Sequence, residues 1–236
     1  MISLDNYTAI IPARGGSKGI KDKNIVNCFS KPLIHWTIIS SIKAGIPRII
    51  LSTDSPEIIE RCKEFDNIEC CQRPVELAKD DSSTEDVIAY LVKNAKIFTE
   101  NIILLQPTSP CRDYNNILDS IKSFENDLKS TSLISVQKGD SKILKSFLKN
   151  SNNYAEGIHN NYYPFQRRQD LPEVFDSNGA IYIAKTKKFI NTHSFFHSNA
   201  TQLYEMNSND SIDIDTIGDL RKAEIVIAKK STNYIL

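Results

Sequence analysis

Apolar and polar positions follow two rhythms along this chain, and the switches between them lay out its elements. A mainly apolar run over residues 7–12 suits a buried strand. Residues 32–44 then carry apolar side chains at helical spacing and stop at Gly45. A second strand over 48–52 leads through Thr53 and Asp54 into a helix over 56–65, and a short strand follows at 68–71. Ser82-Ser83-Thr84-Glu85 resembles a capping box opening a helix to about residue 96. Residues 102–105 form a short apolar strand that ends at Gln106-Pro107-Thr108-Ser109-Pro110. A helix over 115–124 and a strand over 133–137 complete the regular part. The predicted fold class is therefore α/β: one Rossmann-like domain over residues 1–236, with a mostly parallel sheet and helices on both faces.

The rhythm breaks over about 138–178. That stretch is polar, with Asn150, Asn152, Asn153, Asn160 and Asn161, three tyrosines, and the pair Arg167-Arg168. It is too long for a structureless loop in a compact domain and reads as an inserted lobe, a dimerisation arm or lid. Regular structure returns over 180–184. Residues 211–215 alternate as a strand would, and a last helix opens at Thr216 with Asp219 as its capping partner.

Composition narrows the class. A chain of 236 residues can bury a sizeable core. Its 29 Lys+Arg balance 29 Asp+Glu, so bulk charge gives no reason to expect a nucleic acid partner. The five cysteines are odd in number and form no C-x-x-C, which suits reduced thiols in a cytoplasmic protein. No leader pattern and no run of membrane-spanning length is present, so no membrane partner is expected.

The chemistry concentrates in a few loops. Between Ala9 and Asn24 the first strand runs into a loop with three glycines, three lysines and one arginine. Glycine lets backbone amides wrap anionic oxygens, and the cations neutralise them, so the loop suits a polyphosphate. It matches neither the P-loop nor the dinucleotide fingerprint. The plainer reading is a βα turn with solvated lysines. Asp213 and Asp215 would share one face of a strand, where two carboxylates repel unless a cation such as Mg2+ lies between them. A solvated strand end before a helix is the alternative. Gln106 sits in a proline-stiffened turn and offers both a donor and an acceptor. Arg73 suits the acceptor edge of a cytosine, Arg168 a substrate carboxylate, and Asn178 and Tyr182 hydroxyl or amide groups. The four histidines have no metal or triad spacing, and His35 reads as a core residue.

Taken in order, several segments resemble the acylneuraminate cytidylyltransferases, also called CMP-sialic acid synthetases. They are Ile11-Pro12-Ala13-Arg14-Gly15-Gly16-Ser17-Lys18-Gly19, Lys23-Asn24, Ser52-Thr53-Asp54, Arg73-Pro74, Leu104-Leu105-Gln106-Pro107-Thr108-Ser109-Pro110, Arg168-Gln169-Asp170-Leu171-Pro172, Asn178-Gly179-Ala180-Ile181-Tyr182 and Asp213-Ile214-Asp215-Thr216. The resemblance implies a nucleotidyltransferase domain with a dimerisation insert. It implies that CTP and a nonulosonic acid give a CMP-sugar and pyrophosphate, with Mg2+ as cofactor and a homodimer as the assembly. By the same resemblance, Arg14, Gly16, Ser17, Lys18, Lys23 and Asn24 would hold CTP, and Arg73, Ser82 and Ser83 would read its base. Gln106, Asn178, Tyr182, Phe195 and Phe196 would contact the sugar, with Lys145 and Arg168 nearby and contributed across the dimer. Asp213 and Asp215 would bind the metal, and with Arg14, Lys23 and Gln106 would make up the catalytic set. The turn at Gln106 favours this group over pseudaminate or Kdo enzymes and leaves legionaminate open. Asp176 stands where at least some relatives carry a basic residue, which leaves the exact sugar open too. A nucleotide-sugar glycosyltransferase using Asp213 and Asp215 is the rival from another class.

Overall fold

A computed structural model describes residues 3–17 and 19–231. The first strand, β1 (Tyr7–Pro12), is followed by a small two-stranded ribbon, β2 (Asn27–Cys28) and β3 (Lys31–Pro32), and then by α1 (Leu33–Lys43). Next come β4 (Arg48–Thr53), α2 (Pro56–Cys62), β5 (Glu69–Gln72), α3 (Thr84–Asn94) and β6 (Asn101–Leu105). The chain continues through α4 (Tyr114–Asn126), β7 (Ser132–Lys138), β8 (Phe147–Lys149), β9 (Ala155–Gly157) and β10 (Phe175–Lys185). It closes with α5 (Thr186–Thr192), β11 (Thr201–Glu205) and α6 (Ile217–Ser231).

Seven strands form the main sheet in the order β11-β7-β10-β6-β1-β4-β5. β1 runs parallel to β4 and β6, β4 to β5, and β11 to β7, while β10 is antiparallel to both its neighbours. The sheet is therefore mostly parallel, as the βα rhythm predicts. Successive residues of the central strands serve opposite faces. Ala9, Ile11, Ile49, Leu51, Ile103 and Leu105 pack with residues of α1, α2 and α4. Ile10, Ile50, Ile102 and Leu104 pack with α3, α5 and Phe195. Burial on both faces explains why β1 and β6 read as mainly apolar runs rather than alternating ones.

His35 is a core histidine, as its apolar helix predicts: it is 6% exposed, with Nε2 at 2.9 Å from the Arg61 carbonyl. The cap of α3 is Ser83, which accepts from the amide of Asp86, so the helix begins one residue later than the box at Ser82 suggests. Thr216 and Asp219 exchange hydrogen bonds at the start of α6, as predicted.

Residues 211–215 are not a strand. Their alternation records packing against α6: Ile214 is fully buried and Ile212 partly so, in a cluster with Leu220, Ala223 and Ile227. The place at the sheet edge belongs instead to β11, whose Thr-Gln-Leu-Tyr-Glu sequence has little apolar signal. The insert is also shorter than 138–178. Phe175, Asp176 and Ser177 already pair with Lys138, Gln137 and Val136 as part of β10. The excursion itself runs over 139–174 and contains the β8–β9 hairpin and three short 3-10 turns.

Candidate active site

Parallel strands end at one edge of a sheet, so the residues just beyond them gather there. Arg14 lies two residues beyond β1, Asp54 one beyond β4, Arg73 one beyond β5 and Gln106 one beyond β6. Sheet order proceeds outward from β1 to β4 and β5 on one side and to β6 on the other. The chain thus reverses direction of growth between β1 and β6, where a crevice opens. A cavity of about 410 Å³ occupies this place. Its lining includes Arg14, Ser17, Lys23, Asn24, Arg73, Lys79, Asp80, Ser82, Ser83, Gln106, Thr108 and Asp215.

The loop after β1 is tied down on both sides. The Gly15 amide donates to Asp54 Oδ1 at 2.9 Å, which fastens it to the end of β4. Asn24, nearly buried, donates to the Arg14 carbonyl at 2.9 Å and holds the loop's two ends together. Lys23 Nζ reaches across to the Ile214 carbonyl at 2.8 Å and to Asp215 Oδ1 at 3.0 Å. Gly19 makes this approach possible, because a Cβ there would lie 2.7 Å from the Asp215 carbonyl oxygen. Arg14 donates to Asp80 Oδ1 at 2.6 Å from the opposite wall. Gly16 adopts φ +63° and does not line the cavity. Lys18 lies outside the described residues.

Arg73 is 6% exposed and donates to the Ser52 carbonyl at 3.1 Å. Burial lowers its pKa, with the Asp54 charge opposing the shift and Arg14 adding to it. Ser82 donates to the Glu76 carbonyl, which folds the 75–83 loop back over this end of the cavity. At the other end, Gly179 takes φ +73° and leaves room for Gln106, whose Oε1 sits 3.1 Å from where a Cβ would be. The Asp213 carboxylate is next to that position at 3.7 Å. The Thr108 hydroxyl hydrogen-bonds Asp213, and the Thr108 carbonyl accepts from the Ile214 amide at 2.9 Å. Desolvation raises the Asp213 pKa and the Asp215 charge adds to this, while Thr108, Lys23 and the Ile214 amide pull it down. Asp215 thus lines the cavity and Asp213 stands behind it, against Thr108 and Gly179, even though no strand carries the pair.

Other expected sugar contacts are placed differently. Asn178 is 4% exposed and its amide is fully used: Oδ1 accepts from Ser135 and the Ala180 amide, and Nδ2 donates to Ser211 and faces Met206 Sδ. It has no donor or acceptor left for a ligand and instead ties β10 to β7 and to the 207–211 turn. Phe195 is a core residue packed on Phe189 and Tyr182, and Phe196 beside it is 65% exposed. Tyr182 keeps its hydroxyl 3.1 Å from Ser177 Oγ. Lys145 donates to the Gln166 carbonyl and Arg168 to Asp140, so both remain within the insert and neither lines this chain's cavity. The sequence alone assigns no role to Thr108, Lys79, Asp80 or Asp54. Thr108 and Asp54 carry a signal all the same, because each lies in a turn directly after a central strand.

Among the described residues no group of three or more His, Cys, Asp or Glu side chains gathers around a common point. Two carboxylates with the Thr108 hydroxyl form a hard, oxygen-only set, which fits an ion completing its shell with substrate phosphates.

The doubly covered sheet, the basic glycine-rich loop and the crevice between β1 and β6 define a nucleotidyltransferase-type domain. A solved CMP:2-keto-3-deoxy-manno-octonic acid synthetase complexed with CTP shares this fold, with a TM-score of 0.71 at 16% identity, covering 95% of this chain and 99% of that one. A sequence model of the family described as Cytidylyltransferase matches residues 8–231, and the chain belongs to that family. It is 31% identical over 233 residues to an N-acylneuraminate cytidylyltransferase of Escherichia coli, covering 96% of this chain and 53% of the relative. It is 30% identical over 222 residues to a pseudaminic acid cytidylyltransferase of Campylobacter jejuni, covering 92% and 94%. The chain thus spans about half the length of its N-acylneuraminate relatives.

Proposed function

We propose that the chain transfers CMP from CTP to the anomeric hydroxyl of an N-acylneuraminate-type nonulosonic acid and releases pyrophosphate. The observation that carries this reading is the cavity itself: Arg14, Lys23 and Arg73 face Gln106, Asp215 and Thr108 across one space at the β1–β6 crevice. Arg14, Ser17 and Lys23 hold the triphosphate. Arg73 and the Ser82-Ser83 loop take the base, and Gln106 takes the sugar. Asp213 and Asp215 fit a Mg2+ ion that, when bound, neutralises phosphate oxygens and lowers the pKa of the attacking hydroxyl. Among the described residues no histidine lines the cavity. Orientation of the two substrates and fixed positive charge therefore provide the acceleration.

The insert supports a homodimer. Ile143, Phe147, Leu148, Tyr154, Tyr162 and Phe165 are all more than half exposed on it. Such an apolar surface suits burial against a second copy, and Lys145 and Arg168 would then serve the partner's cavity. Five free thiols suit a reducing, cytoplasmic setting. No described helix is long and apolar enough to cross a membrane. The glycosyltransferase reading loses its ground, because the family match extends over residues 8–231. The preference against pseudaminate drawn from the turn at Gln106 finds no support in the similar identities of the two kinds of relative.

Pyrophosphate release measured across CTP, UTP and ATP, each with N-acetylneuraminate, legionaminate, pseudaminate and Kdo, tests the reading. Turnover should require CTP and one of the nonulosonic acids. A site that hydrogen-bonds the exocyclic amine of cytosine rejects the analogue lacking it, so equal turnover with UTP would defeat the proposal.

A further inference from the structure

The turn after β6 contains a side chain to which the CMP transfer gives no direct part. Arg112 leads the fully buried side chains by volume and is only 1% exposed. Its Nη1 donates to the Gln106 carbonyl at 3.2 Å and to the Ala180 carbonyl at 2.8 Å. Its Nη2 donates to the Thr37 hydroxyl at 2.7 Å, and that hydroxyl donates onward to the Gln106 carbonyl at 3.3 Å. Three elements therefore meet at one guanidinium: the end of β6, the middle of β10 and the core face of α1.

A buried charge is costly unless it is well paired. The neighbouring Asp113 acts on Arg112 through its charge alone. That carboxylate is committed to capping α4 and lies 3.7 Å from Lys230. Burial pushes the guanidinium down to about 9, so it remains charged at neutral pH. Its Nε has no hydrogen-bond partner. The two carbonyls that accept from its Nη1 belong to residues around the cavity's Gln106 end. Gln106 lines the cavity, and Ala180 directly follows Gly179, whose backbone turn makes room for the Gln106 side chain.

We propose that Arg112 is a positioning residue for the acid-sugar end of the cavity, holding Gln106 and the Gly179-Ala180 backbone in fixed relation through their carbonyls. The proposal rests on the assignment of Gln106 to the sugar. It also makes a directional claim. Arg14, Arg73 and Ser82 are held by β1, β4, β5 and the 75–83 loop, and none of them touches Arg112. Loosening Arg112 should therefore disturb the sugar and leave CTP alone.

Arg112→Lys, Arg112→Met and Thr37→Val separate this role from a purely structural one. CTP affinity is measured by calorimetry without sugar, sugar KM and kcat by pyrophosphate release, and folding by thermal melts. Misplacement of a substrate-positioning group by about 1 Å costs up to about 100-fold. The expected result is a loss of about 10- to 100-fold in kcat/KM for the sugar on that scale, with CTP affinity unchanged and Lys recovering part of what Met loses. If the Arg112 variants do not fold, Thr37→Val decides, because it removes one donor to Gln106 and one acceptor from Arg112 at nearly constant shape. Variants that melt earlier yet keep the sugar KM and kcat per folded molecule would overturn the proposal. So would equal losses for CTP and sugar. A wild-type chain with no turnover on any nonulosonic acid would overturn the cytidylyltransferase reading and this inference with it. Turnover by wild type with insensitive variants would overturn this inference alone.

Discussion

Asp213 and Asp215 stand one residue apart but meet different surroundings. Asp215 is exposed and ion-paired to Lys23, whereas Asp213 is crowded by Thr108 and Gly179. An exposed ion pair contributes at most about 1 kcal/mol to stability, so Asp215→Asn should melt nearly as wild type does. On the proposed Mg2+ role, removing this hard ligand should lower kcat on the order of 100-fold. Magnesium-dependent turnover together with a thermal melt checks this, and near-normal turnover with reduced stability would remove the pair from the active site. The cysteines give a second residue-level expectation. Burial pushes Cys28, Cys62 and Cys111 up to about 12, which leaves those thiols unreactive as well as covered. Native alkylation followed by mass spectrometry should mark Cys70 first and Cys71 after it, and early modification of Cys111 would contradict the packing around α6.

Between elements, the cavity depends on how the β1 loop meets the segment before α6. Gly19 sets that distance, and an added Cβ would have to displace the Asp215 backbone. Gly19→Ala should therefore reduce turnover by more than about tenfold, on the scale of misplaced catalytic groups, while changing the melt little. Unchanged kinetics would show that the contact is slack. Helix packing sets a different response, to pH. Burial lowers the pKa of His35, on the buried face of α1, and of His197, beside β7, below the ordinary 6.5. The fold therefore keeps both rings neutral at a pH where the unfolded chain already binds protons. Stability should be complete above pH 6.5 and fall as pH drops below it, because the unfolded state then binds more protons than the folded one. Denaturant melts from about pH 8 to about pH 5 should show this limb for wild type and a shallower one for His35→Gln. An equal slope in both proteins would assign the acid loss to other groups.

At the scale of the whole molecule, the excursion over 139–174 is the least self-sufficient part. Its two ends are closed on each other by the Gly139 amide donating to the Val174 carbonyl and by Ser141 donating to the Pro172 carbonyl, the Lys138–Glu173 ion pair ties it to β7, and Phe147, Tyr154, Tyr162 and Phe165 are exposed. A dimer built on this surface should dissociate when a charge is placed in it. Wild type is expected to sediment as a dimer, and Phe165→Asp as a monomer with little activity. Mixing Lys145→Ala with Asp215→Ala subunits should restore about a quarter to a half of the activity per dimer if Lys145 acts across the interface. Full activity in a sedimenting monomer would contradict the arrangement.

The order of strands and helices was legible in the chain because period and apolar run length are local properties. The basic glycine-rich loop, the turn at Gln106 and the position of Arg73 were legible for the same reason: each comes directly after a strand, and parallel strands deliver their C-terminal loops to one edge. Tertiary structure decided which polar side chains remain available to a ligand. Asn178 and Phe195 carried the right residue types, yet internal hydrogen bonds and core packing claim them. Arg112 drew no notice in the sequence and is buried under the cavity's Gln106 end. The alternation at 211–215 could not reveal that β11 occupies the sheet edge while Ile214 belongs to the α6 cluster. A local pattern reports which side chains are apolar. Which neighbour covers them, and which donors are already spent, depends on contacts between residues far apart in sequence.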